Sequence, residues 1–253
     1  GDKDDRMEFV SKCLNPNIKT KFFVKDNSPT ITKKRYLNQL RNEKLFKVEF
    51  INDSPISEKL ERGILDFLES ELHKFDLIIV GDFGHGLINQ NIINILEQKS
   101  KYLAVNVQCN SANLGFNLAT KYNSASYVTM DMKEIQYTTG DRFSDIPTLM
   151  MKLKERTSFG KFLVTMGQLG AMYYHNGHIY SSPAFIKRPL DTVGAGDAVF
   201  AVTSLLAYTK DDDVLPFIAN CVGGIAVSYI GNKDSVTKEK LISFIKELDD
   251  EVD

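Results

Sequence analysis

The sequence carries almost no excess charge of either sign: 31 Lys and Arg face 33 Asp and Glu, a formal net charge of −2. A dedicated binder of nucleic acid or anionic membrane would need a surplus of cations, so both classes are disfavoured. Cysteine is scarce. Cys13, Cys109 and Cys221 are odd in number, far apart and in no metal-ligand spacing, and read as reduced thiols of a cytoplasmic protein. No apolar run approaches the length of a membrane span, and the opening residues show no signal-peptide pattern. Repeats, low-complexity linkers and a second large domain are also missing. What remains is 253 residues, enough for one good core or a core with a small appendage.

Periodicity divides the chain in two. Residues 5–14 suggest a short helix. From residue 19 to about 51 the pattern alternates by twos: Phe22 and Val24, then Ile31, Lys33, Arg35 and Leu37, then Phe46, Val48 and Phe50. Arg41-Asn42-Glu43 supplies a hairpin turn. This small β unit is basic, with nine Lys or Arg against two acids between Lys19 and Lys47. Most of those lysines read as a solvated sheet face. Pro29-Thr30-Ile31-Thr32-Lys33-Lys34-Arg35 differs, because it gathers hydroxyls and cations on one short strand that could face an anionic sugar.

Beyond residue 52, helices and strands alternate. Helices are expected at 57–73, 88–98 and 146–156, and strands at 76–80, 102–107, 127–130 and 162–166. Such spacing predicts an α/β fold: a mostly parallel central sheet covered on both faces, a three-layer sandwich. A hairpin of 171–174 and 178–181, turning at Asn176-Gly177, interrupts the alternation. Helices at 195–208, 214–229 and 237–248 close the chain, and the acidic end (Glu247, Asp249, Asp250, Glu251, Asp253) reads as a solvated tail.

The most informative stretch is Asp191-Thr192-Val193-Gly194-Ala195-Gly196-Asp197, a glycine loop opening into an apolar helix. Free N–H groups and the positive end of the helix dipole converge there, which makes an anion site. Asp197 places a carboxylate beside that site. The pairing is odd for plain phosphate binding, since like charges repel. It suits a base that takes the proton of a hydroxyl attacking a phosphoryl group. The loop is no Walker motif, for no Gly-Lys-Ser/Thr follows, and no dinucleotide fingerprint, for a third glycine is not correctly placed. Four strand exits share this edge and are polar or glycine-rich: Gly81-Asp82-Phe83-Gly84-His85-Gly86; Asn106 with Gln108, Asn110, Asn113 and Asn117; Asp131 with Glu134; and residues 165–170.

The run D-T-x-G-A-G-D resembles the C-terminal motif of the ribokinase (PfkB) family of carbohydrate kinases. The resemblance implies that Asp197 is the catalytic base and that Gly194, Ala195 and Gly196 form the anion hole. It extends over most of the chain. Residues 164–171 are similar to the family's nucleotide-binding exit, and Ala219-Asn220 to its Ala-Asn pair near the adenine. ATP contacts are thus implied for Thr165, Gly167, Gly170, Thr192 and Asn220. Asp131-Met132-Lys133-Glu134 stands in the place of the family's N-x-x-E motif, which handles the Mg2+–phosphate complex. Aspartate replaces the asparagine, so the indirect metal role is carried to Glu134.

Within the family, Pro29 to Lys33 and Asp82-Phe83-Gly84-His85-Gly86 resemble the substrate lid and the D-Y-x-K-G loop of heptose-7-phosphate kinases, with Phe for Tyr and His for Lys. The resemblance implies a sugar or sugar-phosphate substrate, expected near Lys33, Arg35, Asp82 and Asn106, with the alternative that the Thr32 and Lys34 face looks at the ligand while Lys33 and Arg35 pair with acids across the hairpin. The alternating segment of residues 19–51 is too small to fold alone and leaves Phe46, Val48 and Phe50 needing cover, so it is expected to form a lid that pairs with its copy in a homodimer. The family's opening strands, with a sugar-binding Asp and a Gly-Gly turn, have no counterpart here. Gly1-Asp2 looks like the family's Gly-Asp that follows them, so the chain is expected to be a piece of a longer protein or to have lost that segment. Two function classes stand open: an ATP-dependent sugar kinase, and a kinase-like module without catalysis that serves as a nucleotide sensor or scaffold.

Overall fold

The computed structural model describes residues 1, 5–38, 43–186, 188–209, 213–231 and 233–250. A helix, α1 (Arg6–Cys13), precedes a two-stranded antiparallel ribbon of β1 (Thr32–Asn38) and β2 (Glu43–Phe50). The remainder builds a six-stranded sheet in the order β3 (Ile78–Asp82), β4 (Leu103–Val107), β5 (Tyr127–Asp131), β6 (Lys161–Thr165), β7 (Ala171–His175) and β8 (His178–Ser182). The first four strands run parallel, and the last two turn back as antiparallel partners. Asn176 and Gly177 both have positive φ, the geometry of a two-residue hairpin turn.

Helices α2 (Glu58–Glu71), α3 (Gln90–Lys99), α4 (Met132–Thr139) and α5 (Ile146–Arg156) cover one sheet face, while α6 (Ala195–Thr209), α7 (Leu215–Ala226) and α8 (Lys238–Asp250) cover the other. Strand parity decides which core a residue joins. Leu103, Val105, Val128, Met130, Phe162 and Val164 pack with the first layer. Ala104, Tyr127, Leu163 and Tyr173 pack with the second. By the same parity Asn106 and Thr129 look toward α6. Every residue of β4 is buried, as a strand covered on both faces requires.

The structure departs from the sequence expectation in four places. Helix α4 is eight residues long, too short for periodicity to show, and is nucleated by a capping box between Asp131 and Glu134. Residues 19–24 form no strand. Phe23 turns onto the core against Phe67 (5.5 Å between centroids), while Phe22 stays exposed. Pairing steps from Tyr36–Phe46 to Leu37–Lys44, so Leu45 is an extra residue that bulges β2 and breaks the regular alternation there. Glu247, Asp249 and Asp250 belong to α8 rather than to a tail. The turn at Arg41 and Asn42, and Glu251 and Asp253, lie outside the described residues.

Candidate active site

Parallel pairing brings the exits of β3, β4, β5 and β6 to one edge, where the loop before α6 meets them. Asp191 organises that loop. Its buried carboxylate accepts N–H groups from Val193 (3.1 Å) and from Gly231 (2.9 Å), which lies beyond α7. Gly194 takes φ 80°, a conformation that favours glycine. Ala195 and Gly196 open α6, and Asp197 stands exposed in its first turn.

Two cavities meet at this turn. One is lined by Thr165, Gly167, Gly170, Thr192, Ala195, Gly196 and Asn220, so it gathers every residue expected to contact ATP. Phe185, Ile186 and Pro189 close its side, and Phe185 meets the Phe217 ring edge-on at 5.3 Å. Sequence reasoning missed that wall, because residues 184–189 have no periodicity to read. The second cavity holds Asn106, Gln108, Cys109, Thr129, Asp131, Glu134, Gly194 and Asp197. Thr165, Gly196 and Val199 line both cavities, which makes them one continuous site. Among the described residues, nothing beyond its chain neighbours and own helix backbone lies within 4 Å of where a Cβ on Gly196 would stand, so that glycine borders open space. Gly170 is a glycine for another reason: a Cβ there would sit 2.1 Å from the Ser182 carbonyl.

The carboxylates divide by environment. Glu134 is buried, and its two oxygens accept the backbone amides of Cys109 (2.9 Å) and Asp131 (2.8 Å). Burial raises its pKa to about 7, the Asp131 charge adding to the rise and the two amides opposing it. Asp131 is exposed and accepts the Glu134 amide at 2.7 Å. Both carboxylates line the second cavity, Asp131 exposed and Glu134 buried. Among the described residues no cluster of three or more His, Cys, Asp or Glu could hold a metal alone. Magnesium suits such a site, since it keeps its waters and is held by one or two carboxylates together with substrate phosphates.

A third cavity lies beside the exit of β3, lined by Ile31, Lys33, Gly81, Asp82, Phe83, Gly84, His85, Leu87 and Ile88. Lys33 is among the residues that line it. Arg35 is not among the lining residues; it is exposed and sits opposite Lys47 across the ribbon. Asp82 is 2% exposed, and its carboxylate is held by Lys121 (2.6 Å), the Tyr122 hydroxyl (3.0 Å) and the Gly84 amide (3.0 Å). It acts as an anchor of the loop. The asparagine run has the same use: Asn110 and Asn113 donate to the Phe83 carbonyl, and Asn117 to the carbonyls of Asp82 and Gln108. Asn106 donates to the carbonyl and hydroxyl of Thr129, while its buried Oδ1 has no partner among the described residues. That free acceptor belongs to the cavity containing Asp197, which is where the structure places Asn106. Burial and the nearby Lys33 charge lower the pKa of His85.

A sheet of this order with a glycine loop at the start of α6 and a cleft across its edge is the ribokinase-like fold. The pattern of the pfkB family carbohydrate kinases matches residues 8–239, and the chain belongs to that family. It is 27% identical over 224 residues to the bifunctional protein HldE of Helicobacter hepaticus, covering 87% of this chain and 45% of that protein. To the HldE of Histophilus somni it is 28% identical over 244 residues, covering 94% and 49%. The chain thus spans about half the length of these curated relatives. Among solved structures, phosphofructokinase-2 from Escherichia coli in complex with potassium superposes with a TM-score of 0.68 at 13% identity, covering 85% of this chain and 70% of that one. Ribokinase from Thermotoga maritima gives 0.64 at 16%, covering 86% and 70%. These likenesses show the fold.

Proposed function

We propose that the chain transfers the γ-phosphoryl group of ATP to a hydroxyl of a sugar phosphate of the heptose-phosphate class. The observation that carries this reading is Asp197 in the first turn of α6, where the cleft of Thr165 and Asn220 opens into the carboxylate cavity across Gly196. The acceptor hydroxyl gives its proton to Asp197 as its oxygen bonds to the γ-phosphorus, and the bond from that phosphorus to the bridging oxygen of ADP breaks. The amides of residues 194–196 and the helix dipole stabilise the charge in transit. Asp131 and Glu134 would stand beside magnesium arriving with the nucleotide, which would supply charge neutralisation of the phosphates.

Lys33 and the loop of residues 81–88 face the acceptor, and the ribbon of β1 and β2 forms the lid. The ribbon presents Tyr36, Phe46 and Phe50 outward, all exposed, so we place a second copy of the chain against it. Three unpaired thiols fit a reducing compartment, and we assign activity to the cytoplasm. Among the described residues no helix is long and apolar enough to cross a membrane. The test is a coupled assay of ADP release with a panel of sugars and sugar phosphates, including a heptose 7-phosphate. Acceptor-dependent turnover supports the reading. Binding of ATP without transfer to any acceptor would instead favour the non-catalytic module.

A further inference from the structure

Gln108 was expected only as one of several polar residues at a strand exit, yet it touches the centre of the site. Its side-chain Nε2 donates to Asp197 Oδ1 at 2.6 Å, across 89 residues of sequence. Among the described residues this is the side-chain hydrogen bond that Asp197 receives. The Gln108 backbone is clamped on both sides: its N–H donates to the Asp82 carbonyl (2.9 Å), and its carbonyl accepts from Asn117 Nδ2 (3.1 Å). Asn117 also donates to the Asp82 carbonyl (3.1 Å) and accepts from Lys121 Nζ (2.7 Å), which pairs in turn with the Asp82 carboxylate. A chain of short contacts therefore runs from the acceptor-side loop after β3 to the carboxylate on α6.

We propose that Gln108 is a positioning residue that fixes the Asp197 carboxylate in register with the acceptor loop; this rests on the kinase reading above. Asp197 is exposed in the first turn of α6, and an untethered aspartate there would rotate freely about χ1 and χ2. Binding one oxygen holds the other at a set distance from the acceptor hydroxyl, and misplacement by about 1 Å is enough to cost on the order of a hundredfold in rate. The tether reaches Asp197 from the exit of β4 and not from α6 itself, so the base follows the loop that grips the acceptor. Gln108 acts through Asp197 and makes no bond to the transferred group.

Gln108→Leu keeps the approximate shape and removes the donor. It should lower kcat roughly tenfold or more while KM for ATP and for the acceptor stays within about twofold. Gln108→Asn, which retains an amide one carbon shorter, should recover part of the loss. Independently of turnover, the Gln108 side-chain amide protons, observed by 15N NMR, should shift between the wild-type chain and Asp197→Ala. That measurement also decides the matter if Gln108→Leu fails to fold. Unchanged amide shifts, an unchanged kcat, or a raised acceptor KM at constant kcat would each overturn the proposal. A wild-type chain that phosphorylates no acceptor overturns the kinase reading instead, and the wild-type control shows this before any variant is made.

Discussion

At the scale of single residues, two carboxylates in one cavity do different work because burial separates them. Asp197 is exposed where a hydroxyl can reach it. Asp197→Asn keeps an Oδ1 to receive the Gln108 amide but loses the proton acceptor, so kcat should fall roughly a hundredfold or more with ATP affinity little changed. Steady-state kinetics with calorimetric titration of ATP checks this, and near-normal turnover would remove Asp197 from its role. Glu134 reports on stability. Its folded pKa is raised from 4.5 to about 7, so below pH 4.5 both folded and unfolded states hold the proton. Between pH 4.5 and 7 the unfolded chain releases it first, and the contribution to stability declines as pH rises, levelling above 7 after a loss of roughly 3 kcal/mol. Urea unfolding at pH 5 and 7.5 in magnesium-free buffer should show that decline in the wild type and a flatter response in Glu134→Gln. Equal pH responses would mean that the buried site does not hold Glu134 protonated.

At the scale of elements, the loop before α6 was the most legible part of the sequence, because glycines followed by an apolar helix state their geometry locally. The alternating strands were legible for the same reason: Leu103 to Val107 and Lys161 to Thr165 are short apolar runs whose parity sorts them into two cores. The partners that reach across the chain were not. Gln108 on Asp197 and Lys121 on Asp82 depend on which strand exits become neighbours, and no local pattern encodes that. Helix α4 was hidden because its capping residues, Asp131 and Glu134, look the same as site carboxylates. Two expectations follow at this scale. Gly196→Val would project a branched side chain into the border between the two cavities and should abolish ATP binding measured by calorimetry, whereas unchanged affinity would move the phosphates elsewhere. On β1, Lys33 lines the cavity proposed for the acceptor and Arg35 does not. Lys33→Ala should therefore raise KM for a sugar phosphate several-fold more than Arg35→Ala, with KM for ATP unmoved in both. The reverse order would return the anion contact to Arg35.

At the scale of the whole molecule, the ribbon has two sides with different needs. Register places Thr32, Lys34 and Tyr36 opposite Phe50, Val48 and Phe46. Those residues share one side, where Tyr36 and Phe46 stack at 4.5 Å and Lys34 sits 5.4 Å over the Phe50 ring. Lys33, which lines the cavity beside the exit of β3, belongs to the other side. The more apolar side thus faces away from the body of the protein, with Tyr36 47%, Phe46 56% and Phe50 48% exposed. Two strands alone are marginal in water, and among the described residues no third strand joins the ribbon. A second ribbon packed on this side would cover the rings and leave Lys33 free to close on an acceptor. The expected outcome is a particle of twice the 28.5 kDa chain mass by light scattering at micromolar concentration. Tyr36→Asp combined with Phe46→Asp should shift it to monomer while the thermal transition of the main sheet is kept, because neither side chain joins the cores on that sheet. A wild-type chain that is strictly monomeric under these conditions would rule out the paired lid, and the acceptor-facing assignment of Lys33 would then stand on its own kinetics.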